Sequence, residues 1–163
     1  AGGGRGRGGG RGLSGQPAEL EQTAVRLLAA REHSRAELRR KLLARGGEAA
    51  AVEGVLDDLA RRRLQSDARY TEQYVAQRAA RGYGPARIRA ELRERGIDDA
   101  VVADWLDERD PVWKERLAEV ARKRFGATGP ADFRDRARRA RFLEYRGFGA
   151  ELIRRVLAAD ADE

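Results

Sequence analysis

The sequence predicts an all-α protein built of tandem helical repeats. From Pro17 onward, apolar residues recur at helical spacing, and no convincing two-residue alternation is present. The stretch from His33 to Leu56 returns 50 residues later as Tyr83 to Leu106, and a shorter third copy begins at Phe148. Repeats of this length are typical of stacked helical units, which expose long surfaces rather than one deep pocket. This organisation favours a binding protein over an enzyme.

Composition and repeat boundaries divide the chain into five segments. The first is rich in glycine and arginine and has almost no apolar surface to bury, so we expect a disordered basic tail, with weak nucleic-acid contact as the less favoured alternative. Three three-helix repeats follow, and a short acidic end closes the chain. The predicted boundaries are 1–17 for the tail, 18–64, 65–109 and 110–159 for the repeats, and 160–163 for the acidic end.

The first repeat carries clear helix signals. Ser34 and Glu37 have the spacing of a capping box, which predicts that the second helix begins at Ser34. The Gly46-Gly47 pair predicts its end, because glycine reaches the left-handed conformation at low cost. The residues expected on the buried faces of the first and third helices are Leu20, Ala24, Leu27, Leu28, Val52, Val55, Leu56 and Leu59.

The second repeat has the same design. A helix capped by Ser66 or Asp67 runs to Arg81, and the next helix begins with Pro85, whose missing N–H costs nothing at a first helical position. Gly96 ends that helix. Asp98 or Asp99 then begins the sixth helix, for which we expect Val102, Trp105 and Leu106 to be buried.

The third repeat begins after Asp110-Pro111. The eighth helix is predicted to begin after Asp132 and to run to Arg146, and the ninth to cover Ala150 to about Ala158. The seventh helix ends at a loop over residues 126–129. The residues expected to be buried on the seventh and eighth helices are Trp113, Leu117, Val120, Ala121, Phe133, Ala137, Ala140 and Leu143.

The charge of the chain is high and unevenly distributed. Charged residues make up 37% of the sequence, and the formal net charge is +7. Residues 111–155 hold 13 basic against 6 acidic residues, whereas residues 67–110 hold 8 basic against 10 acidic. This excess predicts an anionic partner. No apolar run approaches the roughly 20 residues needed to cross a bilayer, and no signal segment opens the chain, so we expect a cytoplasmic protein with no membrane partner.

The sequence offers little for catalysis. It has no Cys and one His, and His33 aligns with Tyr83 and Phe148 of the other copies, which favours a packing role. No serine has the setting of a nucleophile, and only carboxylates remain as metal ligands. We therefore expect no catalytic residue, no metal, no cofactor and no small-molecule substrate. A small helical enzyme acting through Asp or Glu is the least favoured alternative.

The basic clusters are the candidate binding residues. On the eighth helix, Arg134, Arg138 and Arg141 form one stripe with Arg139 alongside it. Such a stripe suits phosphates or an acidic protein surface. Cations at helix C-termini are favoured by the helix dipole alone, so a purely structural role stays open for the clusters that end the seventh and third helices. Those clusters are Arg122, Lys123 and Arg124, and Arg61, Arg62 and Arg63.

Three stretches of the chain resemble the RecX family of bacterial recombination regulators. They are REHSRAELRRKLLARG, YTEQYVAQRAARGYGPARIRAELRERGID and ARFLEYRGFGAELIRRVL, in that order, and the resemblance covers roughly Leu20 to Leu157. It implies an elongated, curved array of three tandem three-helix repeats. The matching positions are mostly caps and core residues, so they identify the fold and leave the contact surface open.

The resemblance also implies a function. The expected partner is the RecA recombinase filament, bound in its helical groove with inhibition of its ATPase, strand exchange and SOS-type co-protease activity. Single- or double-stranded DNA is a further expected partner. The excess of positive charge and the three-helix units support an alternative of another class, an autonomous DNA- or RNA-binding protein.

Overall fold

The predicted all-α fold is confirmed. The computed structural model describes residues 15–160, and these residues form nine α-helices and no strand. The fourth and eighth helices each end one residue before the predicted end. Residues 1–14 of the predicted tail and 161–163 of the acidic end lie outside the described residues. The helices are α1 (Pro17–Ala30), α2 (Arg35–Ala44), α3 (Ala49–Arg61), α4 (Asp67–Ala80), α5 (Pro85–Glu94), α6 (Asp99–Trp105), α7 (Val112–Phe125), α8 (Phe133–Tyr145) and α9 (Ala150–Ala159).

The helices form two compact units. The first ends at Ser66 and the second begins at Asp67. The core of the first unit is aliphatic and comes from α1, α2 and α3, with Leu20, Leu38, Leu42, Val52, Leu56 and Leu59 almost fully buried. The core of the second unit draws on α4 to α9 and includes Ile88, Leu92, Val102, Trp113, Leu117, Leu143, Phe148, Ile153 and Leu157. The exact repeat boundaries at 64/65 and 109/110 stay a prediction.

The predicted helix signals act as expected. The Ser34 hydroxyl accepts a hydrogen bond from the Glu37 amide at 3.1 Å, and the Glu37 carboxylate accepts one from the Ser34 amide at 3.2 Å. This reciprocal pair is the predicted capping box. Gly46 and Gly96 follow α2 and α5 with φ of +87° and +75°, a conformation that side chains disfavour.

Two predicted core residues are exposed. Trp105 is the last residue of α6, and the chain turns to an extended conformation at Leu106, so the indole stays 41% exposed while Val102 and Leu106 are buried. Phe133 is the first residue of α8 and is 85% exposed. The apolar face of α8 reaches the core only from its second turn onward, where Leu143 is fully buried and Ala140 partly so. The apolar pattern therefore extends one turn too far at the start of α8, and in α6 helical spacing fails at Trp105 because the helix ends there.

Backbone hydrogen bonds join two loops of the second unit. The Gly84 amide donates to the Arg146 carbonyl at 2.7 Å, and the Ala86 amide donates to the Gly147 carbonyl at 3.0 Å. The first turn of α5 and the turn before it thus pair with the turn before α9. This pairing links the second and third sequence repeats into one unit.

Candidate partner-binding surface

The predicted arginine stripe on α8 is exposed. Asp132 caps the helix by accepting a hydrogen bond from the Asp135 amide at 2.7 Å. Arg134, Arg138 and Arg141 then lie exposed on one face. Tyr145, 74% exposed, continues the same face at the end of the helix. The face therefore combines cations with an exposed aromatic ring, a combination suited to nucleic acid.

Asp135 neutralises part of this charge. Its carboxylate accepts from Arg138 at 2.7 Å and from Arg139 at 3.1 Å. The hydrogen bond from Arg138, with a further one from the Ala131 amide, holds the pKa of the Asp135 carboxyl below its usual range. Over the described part of the chain, neither Arg134 nor Arg141 forms an ion pair. These two arginines are thus the least compensated cations of the stripe.

Arg139 lies inside the unit rather than alongside the exposed stripe. Its side chain is 10% exposed, and it donates to the carbonyl of Thr128 at 2.9 Å as well as to Asp135. Its guanidinium carbon lies 5.0 Å from the centre of the Phe125 ring. Arg139 therefore ties the loop before α8 to the helix, and the expectation that it belongs to the binding surface does not fit this position.

The cations at the end of α7 are exposed and differ in their contacts. Arg122, Lys123 and Arg124 all face solvent in the last turn, where the helix dipole favours positive charge. Lys123 pairs with Glu119 at 3.1 Å, and this contact lowers the pKa of the Glu119 carboxyl. The Arg124 guanidinium lies 5.4 Å from the ring centre of Phe142 on α8. Of the three cations, Lys123 and Arg124 lie at the junction of α7 and α8.

A basic cleft lies at this junction. Its volume is about 460 Å³, and the end of α4, α7 and α8 all contribute to its lining. Aliphatic groups of Ala79 and Val120 and the ring of Phe142 provide its apolar surface. The charged lining consists of five cations, Arg81, Arg116, Lys123, Arg124 and Arg146, and one carboxylate, that of Glu119. Sequence reasoning found Lys123 and Arg124 but missed the other three cations, because Arg81 follows α4, Arg116 lies early in α7 and Arg146 follows α8, so they form no cluster in the sequence.

Aromatic rings support several of these arginines. The Arg146 guanidinium lies 5.1 Å from the Phe142 ring centre and 5.0 Å from that of Tyr83. Arg87 lies 4.5 Å from the Tyr83 ring and 5.0 Å from the Tyr145 ring. Such cation–π contacts fix guanidinium groups while leaving their N–H donors available for anions.

The basic cluster of the first unit is largely paired. Arg62 donates to Glu21 of α1 at 2.6 Å and to Asp58 of α3 at 3.1 Å, and Arg61 lies 3.6 Å from Asp58. Arg63 follows the helix with a φ of +57°. Arg62 therefore links α1 to α3, so a packing role accounts for its charge.

The structure places His33 as the repeat predicts. It is 2% exposed, and Nδ1 donates to the Arg31 carbonyl at 3.0 Å, since a carbonyl only accepts. Nε2 then accepts from the Lys41 ammonium at 3.0 Å. Burial lowers the pKa of His33, so the neutral form is favoured. Among residues 15–160, no group of three or more His, Cys, Asp or Glu side chains is placed to hold a metal ion, and no helix is long and apolar enough to span a membrane.

Family models match all three repeats. The models described as the first, second and third three-helix domains of RecX match residues 22–59, 66–106 and 114–157. The chain is 46% identical over 142 residues to the Regulatory protein RecX of Pseudomonas syringae pv. tomato, covering 87% of this chain and 92% of that one. It is also 46% identical over 142 residues to the Regulatory protein RecX of Pseudomonas entomophila, with the same coverage.

Solved structures agree on the fold. The crystal structure of RecX from Lactobacillus salivarius superposes with a TM-score of 0.77 at 20% identity, covering 90% of this chain and 97% of that one. A second crystal structure of regulatory protein RecX gives a TM-score of 0.76 at 24% identity, covering 91% of this chain and 74% of that one. At these identities the likeness concerns the fold alone.

The fold and surface define an all-α protein of three tandem three-helix repeats with a basic face in its second compact unit. The three consecutive domain matches and the sequence identity to the Pseudomonas proteins show the family to which the chain belongs. The chain belongs to the RecX family of regulatory proteins.

Proposed function

We propose that this chain is a non-enzymatic cytoplasmic regulator of the RecA recombinase. It binds the RecA–DNA filament in the helical groove and inhibits ATP hydrolysis, strand exchange and SOS-type co-protease activity. Membership of a family of regulatory proteins supports this proposal. The partner follows from the family resemblance.

The observation that carries the proposal is the uncompensated basic surface of the second unit. Arg134 and Arg141 are exposed on α8, and the cleft beside α8 contains five cations against one carboxylate. A filament of protein on DNA offers phosphates and acidic side chains over a long surface. Complementary charge speeds the encounter of such partners and orients them.

The decisive experiment is inhibition of the DNA-dependent ATPase of RecA. We expect the purified chain, added in amounts equal to the recombinase, to lower the ATPase rate and to slow strand exchange on the same DNA. A rate that stays unchanged at stoichiometric amounts would show that the proposal is wrong. A repressor-cleavage assay on the same filament tests the co-protease part separately.

Autonomous binding to DNA or RNA is the second candidate function. It is favoured by the stripe of Arg134, Arg138 and Arg141 with Tyr145 on the same face. Binding through phosphates releases counterions, so the affinity for a bare oligonucleotide should fall steeply with salt in the absence of any recombinase. Failure to bind oligonucleotides at low salt would eliminate this candidate and leave the first intact.

A further inference from the structure

The basic cleft between α4, α7 and α8 has more positive charge than its own residues neutralise. Its one carboxylate, Glu119, is already engaged by Lys123 at 3.1 Å. Arg146 donates to the Arg81 carbonyl at 3.2 Å, a contact that leaves both positive charges in place. As far as the structure describes the chain, Arg116 and Arg124 form no ion pair. The cleft therefore attracts an anionic group from outside.

The apolar surface of the cleft narrows the kind of partner. Val120 and Ala79 present aliphatic groups beside the cations. The Phe142 ring meets the Phe125 ring edge-on at 5.5 Å and is contacted by the Arg124 and Arg146 guanidinium groups at 5.4 Å and 5.1 Å. Three neighbouring groups thus already contact the Phe142 ring, which leaves less of it for stacking with a base. The apolar lining of the cleft therefore suits aliphatic side chains better than nucleic-acid bases.

The size of the cleft also favours a peptide over nucleic acid. A volume of about 460 Å³ lies toward the small end of the range of concave ligand sites. A nucleic-acid duplex is too wide for such a space and meets cations on an exposed ridge such as the outer face of α8. Carboxylates beside aliphatic side chains are the features of an acidic peptide segment, and the planar guanidinium fork binds carboxylates through two donors.

We propose that this cleft binds an acidic peptide segment of the protein partner. Carboxylates of the segment pair with Arg116 and Arg124, and an aliphatic side chain rests on Val120 and Ala79. The inference rests on the proposed function, because it assigns to the cleft the contact with the protein part of the filament. The exposed stripe on α8 then faces the nucleic acid or solvent.

The first test removes two charges from the cleft and compares the result with an equal loss outside it. The variant is Arg116→Gln with Arg124→Gln. The control is Lys114→Gln with Arg154→Gln, since both residues are exposed in the same unit and lie outside the cleft. Co-sedimentation with RecA assembled on an oligonucleotide is the readout. We expect the cleft variant to bind about tenfold more weakly, as expected for the loss of charge-assisted hydrogen bonds, and the control to bind within about twofold of the unmodified chain.

The outcomes separate the inference from the proposed function. If the unmodified chain neither co-sediments with the filament nor inhibits its ATPase, the proposed function is wrong. If it does both and the two variants weaken binding equally, the charge acts diffusely and the cleft inference is wrong. Thermal unfolding verifies that both variants are folded. Should Arg124→Gln loosen the contact with Phe142, Arg116→Gln alone is compared with Lys114→Gln under the same criteria.

The second test identifies what lies in the cleft. A photo-crosslinking p-benzoylphenylalanine replaces Ala80, an exposed residue of the cleft lining, and in a control it replaces Ala100, an exposed residue of α6. Both variants are irradiated on the filament after co-sedimentation confirms binding. We expect a crosslink from position 80 to an acidic peptide of the recombinase, which mass spectrometry identifies. A crosslink to DNA, or none from position 80 in a variant that co-sediments, would overturn the inference.

Discussion

Gly84 and Gly147 lie so close together that a β-carbon on Gly84 would come within 2.5 Å of the Gly147 carbonyl group. A β-carbon on Gly147, whose φ is +102°, would lie 2.4 Å from that of Arg87. Hydrogen bonds from Gly84 and Ala86 to the Arg146 and Gly147 carbonyls run through the same place. The contact is between main chains, so a side chain at either glycine forces them apart.

Gly84→Ala should destabilise the second unit by about 1–3 kcal/mol, because overpacking at a backbone contact displaces the paired turns. Gly149 is the matched control. It occupies the equivalent position of the third repeat, where a β-carbon would meet nothing within 4 Å. Both glycines are helix N-caps, so Gly149→Ala should show the N-cap cost alone, about 0.5–1 kcal/mol, and Gly84→Ala should exceed it. Chemical denaturation of both variants checks this, and equal effects would contradict the account.

His33 should make the stability of the first unit depend on pH. Burial lowers its pKa below the ordinary value of 6.5, so the unfolded chain binds more protons than the folded one between the two values. The contribution of neutral His33 to stability is fully present above pH 6.5 and is lost as the pH drops through 6.5 toward the lowered pKa. The nearby Arg31 and Lys41 oppose protonation as well, while Glu37 favours it weakly.

His33→Phe should flatten this dependence, since Phe148 shows that the equivalent position accepts a buried phenyl ring. Hydrogen exchange of the Leu38 and Leu56 amides, measured across the pH range, reports on the first unit separately. His33 is the single histidine of the chain, so its imidazole titration can be followed directly by NMR. A pKa at or above 6.5, or an unchanged slope in the variant, would contradict the assignment.

Replacing Arg139 should destabilise the protein much more than replacing Arg138, although the two residues are neighbours that share Asp135. Arg139→Ala removes a nearly buried guanidinium that also holds the Thr128 carbonyl, and we expect a loss of about 2 kcal/mol. Arg138 is 58% exposed, and Arg138→Ala should cost less than about 0.5 kcal/mol. Thermal unfolding of the two variants gives the comparison. Similar losses in both would mean that burial does not distinguish them.

Arg134 and Arg141 should govern any binding to bare nucleic acid. Their joint replacement by Ala should lower the slope of log affinity against log salt by about 0.7–0.9 for each phosphate contact that is lost. Arg154→Ala with Arg155→Ala on α9 is a control with the same change of charge at exposed positions. Fluorescence anisotropy with an oligonucleotide measures both. An equal reduction in the control would exclude a specific role for the α8 stripe.

Local signals in the sequence predict most of this fold. Ser34 with Glu37, Gly46, Pro85, Gly96 and Asp132 mark helix ends because each acts through neighbours a few residues away. Trp105 and Phe133 were predicted wrongly, because helical spacing identifies a face and does not show how far along the helix the core extends. Burial at a helix end depends on residues distant in sequence.

Less of the binding surface than of the fold could be predicted from the sequence. The α8 stripe was found because its residues share one helix, whereas the cleft brings together Arg81 after α4, Arg116 on α7 and Arg146 after α8. The role of Arg139 could not be seen either, since it depends on carbonyls of a loop that folds back onto α8. Charge counts locate a basic region, and tertiary contacts decide which of its cations are already paired within the protein.

The pairing of the turns before α5 and α9 bears on how this molecule can change over evolution. In the first unit, the position equivalent to Gly84 is Ser34, whose hydroxyl caps a helix within its own repeat. The second and third repeats share a main-chain contact that a β-carbon at Gly84 or Gly147 would disturb, so a change in either turn has to fit the other.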